Sequence, residues 1–285
     1  MGKMTLKSLS KVKNLWEPKE AGMKTIVITG STRGIGFGLA EAFLAMGCSV
    51  MVSGRTQEAV DRAVADLTSR YSKEQVLGAA CDVTNFAQVE MLWMEAKNRF
   101  GKVDIWINNA GLANKINEFW KVPETELFSV VNTNLVGAMN GAKVAMQGML
   151  EQGFGSIYNM EGMGSDGRRM VPGLAPYGMT KAGLAYFTDA MVEEAAGTPV
   201  LVGAIRPGMV ATDMITSQYK GREADWARVR RIMNILSDRV ETVAPELAQK
   251  ILANNKTGIR IKRGNPFRMM GRFLMAPFRK REVFS

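Results

Sequence analysis

The stretch TIVITGSTRGIG (residues 25–36) joins a short apolar run directly to a glycine pattern. The apolar run predicts a buried strand, and the residues after Gly34 predict the helix that follows it. Gly30, Gly34 and Gly36 lack side chains, so they allow a tight turn and let backbone N–H groups approach a pyrophosphate closely. An ordinary glycine turn is the alternative, but a position between a strand and a helix favours a dinucleotide site.

The rest of the chain repeats this order of strand followed by helix. Strands that are apolar throughout and separated by helices are typical of a parallel sheet covered on both faces. We therefore predict a single-domain, Rossmann-like α/β fold, a doubly wound parallel sheet that binds ligands at the carboxyl ends of its strands. The predicted strands are 25–30, 49–54, 75–83, 103–111, 155–160 and 200–208, and the predicted helices lie near 35–46, 56–70, 85–99, 124–150 and 177–195.

The distribution of charge suggests three segments. The 285 residues are 46% hydrophobic and 22% charged, which suits one large globular domain. The net charge is +10, and residues 258–285 hold eight cationic residues against one acid, so the body is close to neutral. We predict a basic N-terminal arm (1–23), a nucleotide-binding catalytic domain (24–264) and a basic amphipathic C-terminal tail (265–285).

The composition excludes several kinds of active site. A chain without histidine cannot use Ser-His-Asp or Cys-His catalysis and lacks the ligand of most zinc sites, so we expect no bound metal. The only cysteines, Cys48 and Cys81, favour a reducing compartment and free thiols. The most apolar stretch, 38–54, falls short of a membrane span, and residues 1–24 lack the features of a signal peptide. We therefore expect a cytoplasmic protein.

The end of the second predicted strand indicates which dinucleotide binds. An NAD site places an acid about 20 residues after the glycine motif, and this chain has no Asp or Glu between Glu41 and Glu58. Instead Arg55 follows the strand and Arg33 lies in the glycine loop, and two guanidinium groups favour the 2′-phosphate of NADPH or NADP⁺. The alternative for Arg55 is a solvated surface residue. Asp82, after the third strand, suits either contact with the adenine or a helix cap.

The stretch YGMTK (177–181) offers a proton carrier that needs no histidine. A spacing of four residues puts Tyr177 and Lys181 on one face of a helix. A free tyrosine has a pKa near ~10, and a neighbouring cation lowers it. We expect Lys181 and an oxidised nicotinamide ring to lower the pKa of Tyr177, which then gives a proton to a carbonyl oxygen as hydride reaches the carbon. Taken alone, the same pair suits a solvated helix face.

Three more motifs accompany YGMTK: NNAG (108–111), NTNLVG (132–137) and RPGMVAT (206–212). With the glycine motif, and in this order, they resemble the short-chain dehydrogenase/reductase family over about residues 24–262.

The resemblance implies a role for each motif. Tyr177 would be the acid, Lys181 would bind the ribose and tune Tyr177, and Asn134 would hold a water of a proton relay. The segment from Pro207 to Thr212 would contact the nicotinamide side. The NADP(H)-binding residues would be Gly30, Ser31, Thr32, Arg33, Gly34, Ile35, Gly36, Arg55, Asp82, Val83, Asn109, Ala110, Gly111, Tyr177, Lys181, Pro207, Gly208, Val210 and Thr212.

The sequence departs from the family pattern after the fifth strand. The family usually has a pair of serines there, one of which orients the substrate carbonyl, but this chain has Glu161 and Gly162. Ser165 is the nearest hydroxyl and becomes the candidate for that role. Its alternative role is to shape a glycine-rich turn.

The stretches GSIYNMEGMGSDG (155–167) and IRIKRGNPFRMMGRFLMAPFRKR (259–281) look like the chlorophyll(ide) b reductase branch of that family. The branch implies NADPH-dependent reduction of the 7-formyl group of chlorophyll(ide) b to hydroxymethyl, a step of chlorophyll catabolism. The alternatives are a reductase of another bulky apolar carbonyl, of acyl, steroid or quinone type, and a non-catalytic NADP-binding protein.

The segment 214–236 is a candidate wall for a large apolar substrate. Methionine and large apolar side chains adapt to irregular ligands. The alternative is an amphipathic helix that packs on the body. The residues concerned are Ile215, Trp226, Ile232, Met233 and Leu236.

The predicted tail has apolar residues on one helical face and arginines on another. Such a stretch suits an anionic membrane surface, and docking on the body or on a sister subunit is the equal alternative. We expect a homo-oligomer and, without a recognition motif, no binding to nucleic acid. The residues concerned are Phe267, Met270, Phe273 and Leu274, with Arg268 and Arg272, followed by 279–281.

Overall fold

The structure is a computed structural model that describes residues 23–168, 170–263 and 281–284. The predicted N-terminal arm, apart from Met23, lies outside these ranges. The predicted tail lies outside them too, apart from 281–284, so its amphipathic face is not described. The division of the chain at residues 23 and 264 stays a prediction.

Seven parallel strands form one sheet in the order β3-β2-β1-β4-β5-β6-β7. The six predicted strands are present; β2 and β5 have the predicted bounds, and the other four end earlier than predicted, because the residues after them form loops. The seventh, β7, was not predicted: it has three residues, two of them cationic. The strands are β1 (Thr25–Ile28), β2 (Ser49–Gly54), β3 (Val76–Ala80), β4 (Ile105–Asn108), β5 (Gly155–Met160), β6 (Val200–Arg206) and β7 (Arg260–Lys262).

Helices cover both faces of the sheet. The helices are α1 (Gly34–Ala45), α2 (Gln57–Thr68), α3 (Phe86–Phe100), α4 (Glu124–Val131), α5 (Gly137–Gln152), α6 (Ala175–Glu194), α7 (Asp213–Ser217), α8 (Glu223–Leu236) and α9 (Val240–Ala253). Along β1, Ile26 and Ile28 point to a core shared with α1 and α9, whereas Val27 points to a core shared with α3 and α5. The predicted doubly wound fold is confirmed.

The long helix predicted over 124–150 is interrupted. Residues Asn132–Val136 form a π-helical turn between α4 and α5. A π turn holds more residues than an α-helical turn and often lies at a functional site. Hydrophobic periodicity does not report it, because both flanking helices keep their own apolar faces. Asn134 is the buried residue of this turn.

Residues 281–284 dock on the body beside α8. Asn234 accepts hydrogen bonds from the backbone N–H groups of Val283 (2.7 Å) and Phe284 (2.8 Å). The buried Phe284 ring meets Trp226 edge-on at 5.2 Å. Trp226, predicted to line a substrate site, therefore packs on the body in this structure, as its alternative stated. Ile232 of the same helix is 51% exposed.

Part of the positive charge assigned to the C-terminal region is paired with the body. Arg260 binds both carboxylate oxygens of Asp189 at 2.7 Å. Arg263 and Arg281 both pair with Asp238. Three of the eight cations counted there thus neutralise carboxylates of the folded domain. No helix within the described ranges is long and apolar enough to cross a membrane.

Candidate active site

The loops that follow β1, β4, β5 and β6 meet at the carboxyl edge of the sheet, because all the strands run parallel. Thr29, at the end of β1, accepts hydrogen bonds from the backbone of Asn109 (3.0 Å) and Ala110 (3.1 Å). The Asn109 amide in turn donates to the carbonyls of Thr29 and Gly30, both at 2.9 Å. The NNAG motif is thereby fixed on the glycine loop.

The glycine loop has no room for side chains. Gly30 has a φ of +61°, and a Cβ on it would lie 2.7 Å from the Cα of Ala110. A Cβ on Gly36 would lie 2.4 Å from the Asn109 amide nitrogen. The Ser31 hydroxyl donates to Ile28 O (2.6 Å) and accepts from the Ser53 N–H (2.9 Å), so this side chain holds the turn rather than facing a ligand.

A buried acceptor lacks a partner at the contact between the NNAG motif and the glycine loop. Oδ1 of Asn109 has no hydrogen bond within the described part of the chain. A buried, unpaired oxygen beside a glycine cradle is satisfied when a ligand supplies a donor. This acceptor and the glycine loop, with the N-terminus of α1 behind them, fit a dinucleotide.

The side chains at the predicted adenine end are largely exposed. Arg33 is 73% exposed and lies 3.8 Å from Asp213, an exposed pair of little strength. Arg55 is exposed and has no carboxylate within ion-pair distance in the described ranges. Thr32 packs over Gly54, at the end of β2. Asp82 accepts from the backbone and the hydroxyl of Thr84 (3.0 and 2.8 Å) and so shapes a local turn. The helix cap that was its alternative role belongs to Asn85, the N-cap of α3.

The segment after β6 reaches the glycine loop. Val210 is buried and forms a parallel bridge with Asp238. Thr212 then lies against Gly34, where an added Cβ would meet its methyl group at 3.5 Å. The structure thus brings the RPGMVAT and TGSTRGIG motifs together, as the resemblance implies. Ile35, Val83, Gly111, Pro207 and Gly208 stay predicted contacts.

Tyr177 and Lys181 are both buried near the amino end of α6. The Lys181 ammonium donates to the carbonyl of Met160 at 2.9 Å and lies 5.7 Å from the centre of the Tyr177 ring. Burial lowers the pKa of Lys181 to about 8, against the opposing effect of Glu161. Burial also raises the pKa of Tyr177 to about 12.

The direction of the Tyr177 shift applies to the protein alone, whereas the prediction from sequence includes the charge of an oxidised nicotinamide ring. Lys181 was expected to lower the pKa of the phenol, but the ammonium is held at a backbone carbonyl over the ring face. The raised pKa of Tyr177 in the protein alone is caused by its burial. A raised pKa favours the protonated phenol, which is the form that reduction of a carbonyl requires.

Asn134 is held rigidly between two elements of the site. Its Oδ1 accepts from the Leu112 N–H (2.7 Å), and its amide group donates to Leu112 O (2.8 Å) and to the Thr180 hydroxyl (2.9 Å). Both amide hydrogens are thus used. A water of the predicted relay can bind this side chain only through the remaining lone pair of Oδ1.

Gly162 is the residue of the altered serine position that faces the phenol. A Cβ placed on it would lie 2.5 Å from the hydroxyl oxygen of Tyr177. Ser165 lies one turn further on, is 8% exposed, and accepts from the Gly162 N–H at 3.0 Å. Its own hydroxyl hydrogen remains available to a carbonyl oxygen. The space beside the Tyr177 hydroxyl therefore admits no side chain at position 162, and Ser165 holds the turn through the Gly162 N–H.

We expect Ser165→Ala to lower kcat by about 10²-fold, since it removes a polar group that stabilises the carbonyl oxygen. Ser129→Ala is the matched control, because that hydroxyl only donates to Thr125 O on an exposed helix face (2.7 Å). Steady-state rates and melting temperatures measured on both variants check this. Unchanged turnover in Ser165→Ala would leave the residue with a purely turn-forming role.

Glu161 is a site residue that sequence reasoning noticed but did not assign. Its carboxylate is buried between Arg206 and Arg260, and the Arg260 Nε lies 3.1 Å from it. Because these partners are 45 and 99 residues away, no local pattern reveals the pairing. The only sequence signal is an acid at the end of an otherwise apolar strand. Its charge opposes the loss of the proton from Lys181.

The described residues contain no cluster of side chains that suits a metal ion. Cys48 and Cys81 are free and buried, and burial raises the pKa of their thiols to about 11 and about 12. Such thiols are poor nucleophiles at neutral pH.

Two plant proteins and one solved structure are similar to the chain. It is 37% identical over 238 residues to the chloroplastic chlorophyll(ide) b reductase NOL of Arabidopsis thaliana, covering 82% of this chain and 66% of the relative. It is 34% identical over 266 residues to the probable chlorophyll(ide) b reductase NYC1 of the same plant, covering 88% of this chain and 52% of the relative. The chain thus spans only about half of the longer relative. A crystal structure of an actinorhodin polyketide ketoreductase with NADPH is similar at a TM-score of 0.75 and 28% identity, covering 84% of this chain and 95% of the other.

Over residues 24–223, which include the glycine loop, Asn134, Tyr177 and Lys181, the sequence matches the short chain dehydrogenase family. This range is most of the chain and contains the first six strands of the sheet. The chain belongs to the short-chain dehydrogenase family.

Proposed function

We propose that the chain is an NADPH-dependent carbonyl reductase and that its substrate is the 7-formyl group of chlorophyll(ide) b, which becomes hydroxymethyl. The observation that carries the proposal is the pairing of Tyr177 with Lys181 beside Gly162, whose lack of a side chain lets its backbone lie close to the phenol oxygen. The similarity to the two plant reductases supports the choice of pigment.

The residues of the chain divide the chemistry between them. When bound, the nicotinamide cofactor supplies the hydride. Tyr177 donates its proton to the carbonyl oxygen, and the burial that raises its pKa keeps it protonated until then. Ser165 donates a hydrogen bond to the same oxygen. Lys181, held at Met160 O, stabilises the phenolate that forms, and Glu161 favours the charged state of this lysine.

Exposed cations support the choice of NADPH over NADH. Arg55→Ala should weaken NADPH binding by about 10- to 100-fold and leave NADH binding unchanged, because one charge-assisted contact contributes about 1.5–3 kcal/mol. Arg62→Ala is the matched control: this exposed arginine pairs with Glu58 on α2. Titration of both cofactors against both variants checks this. An Arg55→Ala protein that keeps its preference for NADPH would contradict the assignment.

The substrate is tested with NADPH and either chlorophyll b or chlorophyllide b. We expect loss of the chlorophyll b absorption bands, matching oxidation of NADPH, and a product that co-elutes with the 7-hydroxymethyl standard. If neither pigment gave a product while a simpler ketone was turned over well, the pigment would not be the substrate, and the assignment as a carbonyl reductase would stand.

The similarity to a polyketide ketoreductase favours a second candidate, reduction of another bulky ketone. A panel of polyketide, acyl, steroid and quinone carbonyls measured under the same conditions separates the two candidates. Absence of NADPH oxidation with every carbonyl would indicate a nucleotide-binding protein without catalysis.

A further inference from the structure

Three loops meet at the mouth of the candidate site. The loop after β4 is bound to the start of α6, since the Tyr177 N–H donates to Asn114 Oδ1 at 3.3 Å. Asn114 also donates to Gly173 O (2.8 Å), which ties in the loop after β5. The Ile116 N–H donates to Gln218 O at 3.0 Å and so adds the segment after α7. These contacts place 112–122, 163–168, 170–174 and 213–222 around one opening.

Large apolar side chains project into solvent from this opening. Met170 is 86% exposed, Trp120 is 78% exposed and Phe119 is 57% exposed. Smaller exposed groups continue the surface between them. We call the set the apolar rim: Phe119, Trp120, Met163, Met170, Val171 and Met214. Large apolar groups that cluster in solvent around a site mark a surface that contacts a partner or a membrane.

The surroundings of the apolar rim are positively charged. Together 112–122, 163–168, 170–174 and 213–222 hold five cationic and three acidic residues. Arg230 and Arg231, on α8, are exposed and have no carboxylate within ion-pair distance in the described ranges. Tryptophan and phenylalanine next to lysine and arginine are the side chains that favour the boundary of an anionic bilayer.

We propose that the apolar rim docks on an anionic lipid surface, so that the opening of the site faces the bilayer. The proposal concerns folded loops at the site and not the amphipathic tail. One consequence rests on the proposed function: an apolar carbonyl dissolved in the lipid then reaches Tyr177 without crossing water.

The charge at the opening favours lipid over a second copy of the chain. A rim that carries a net positive charge faces repulsion when it meets its own copy around a two-fold axis, because the same patch contacts itself. An anionic bilayer attracts that charge and accepts irregular apolar groups without shape complementarity. Lipid therefore satisfies both the apolar and the cationic part of the surface.

The test is co-sedimentation of the full chain with vesicles of phosphatidylglycerol and phosphatidylcholine, with the tail intact in every variant. We expect the variant Phe119→Ser/Trp120→Ser/Met170→Ser to bind on the order of 10²-fold more weakly, because three large apolar groups no longer enter the lipid. Trp120→Ser alone should have a smaller effect in the same direction. Binding to pure phosphatidylcholine should be weak for all proteins.

Tyr186→Ser is the matched control, since Tyr186 is also 78% exposed but lies on α6, nine residues after Tyr177. It should bind vesicles like the wild type. Equal losses in the rim variant and in Tyr186→Ser, or no loss in the rim variant, would overturn the proposal. A lower oligomeric mass of the rim variant in light scattering would also overturn it, because the surface would then join two copies.

A second measurement separates this inference from the proposed function. Rim variants should lose turnover of a carbonyl dissolved in vesicles and keep turnover of a water-soluble one. If the wild type reduces neither carbonyl, the proposed function fails, and vesicle binding alone still decides whether the rim contacts lipid. Equal turnover of both carbonyls by wild type and rim variant would overturn the route through the bilayer.

Discussion

Tyr177→Phe abolishes turnover, with a loss of about 10³-fold or more, and leaves NADPH affinity within about twofold of the wild type. The change removes only the hydroxyl that gives the proton, and general acid catalysis contributes about 10²–10⁴-fold. The ring stays, so the packing of this buried side chain is kept. Single-turnover kinetics with a saturating carbonyl, and NADPH titration by fluorescence, measure the two quantities.

Tyr158→Phe is the control for this change. Tyr158 is also buried, and its hydroxyl accepts from the Asn254 amide at 2.9 Å on the α9 side of the sheet. Its loss should cost about 1 kcal/mol of stability and leave turnover unaffected. If Tyr177→Phe kept a tenth of the wild-type rate, the proton would come from another group.

Lys181→Met should also stop turnover, but unlike Tyr158→Phe it should stabilise the fold. We expect a fall of about 10²-fold or more in kcat, because the phenolate formed at Tyr177 loses its cation. The free energy of unfolding at pH 7 should rise by about 2 kcal/mol. A lysine whose pKa falls from 10.5 to about 8 on folding costs about 3 kcal/mol while it is charged, offset by its hydrogen bond to Met160 O.

The dependence on pH identifies the cause of this gain. Between about pH 8 and pH 10.5 the unfolded chain holds a proton on Lys181 that the folded chain has released. The stability of the wild type relative to Lys181→Met therefore rises with pH across that window and is constant below it. Taking the difference cancels the contributions of Cys48, Cys81 and Tyr177. Chemical denaturation of both proteins at pH 7, 8, 9 and 10 measures it, and a difference that does not change with pH would contradict the shifted pKa.

The fold was predictable because its signals are local. Each predicted strand is a short apolar run, and the glycine, NNAG and RPGMVAT motifs lie at the ends of strands, where a parallel sheet brings its loops together. The same reasoning placed Tyr177 and Lys181 on one face of a helix, and the structure has them on α6. These features depend on periodicity and on spacings of a few residues.

The remaining features depend on contacts between distant parts of the chain. Strand β7 is held by pairing with β6 and not by its own hydropathy. The partners of Glu161 come from the ends of β6 and β7, so its role emerges only when those strands lie side by side. The pKa of Tyr177 follows from how fully the surroundings exclude water. A sequence read along the chain contains none of these distances.

The π turn at Asn132–Val136 makes the site sensitive to the deletion of a single residue. A helix gains such a turn when one residue is inserted into it. Losing one residue there would let α4 and α5 join as a continuous helix, but it would rotate everything after the deletion by about 100° relative to what precedes it. Asn134 could then stay between Leu112 and Thr180, or Ala142 and Met149 could stay in the core beneath the sheet, but not both. Single substitutions within the turn therefore leave this geometry in place, whereas the deletion of even one residue breaks one of the two sets of contacts.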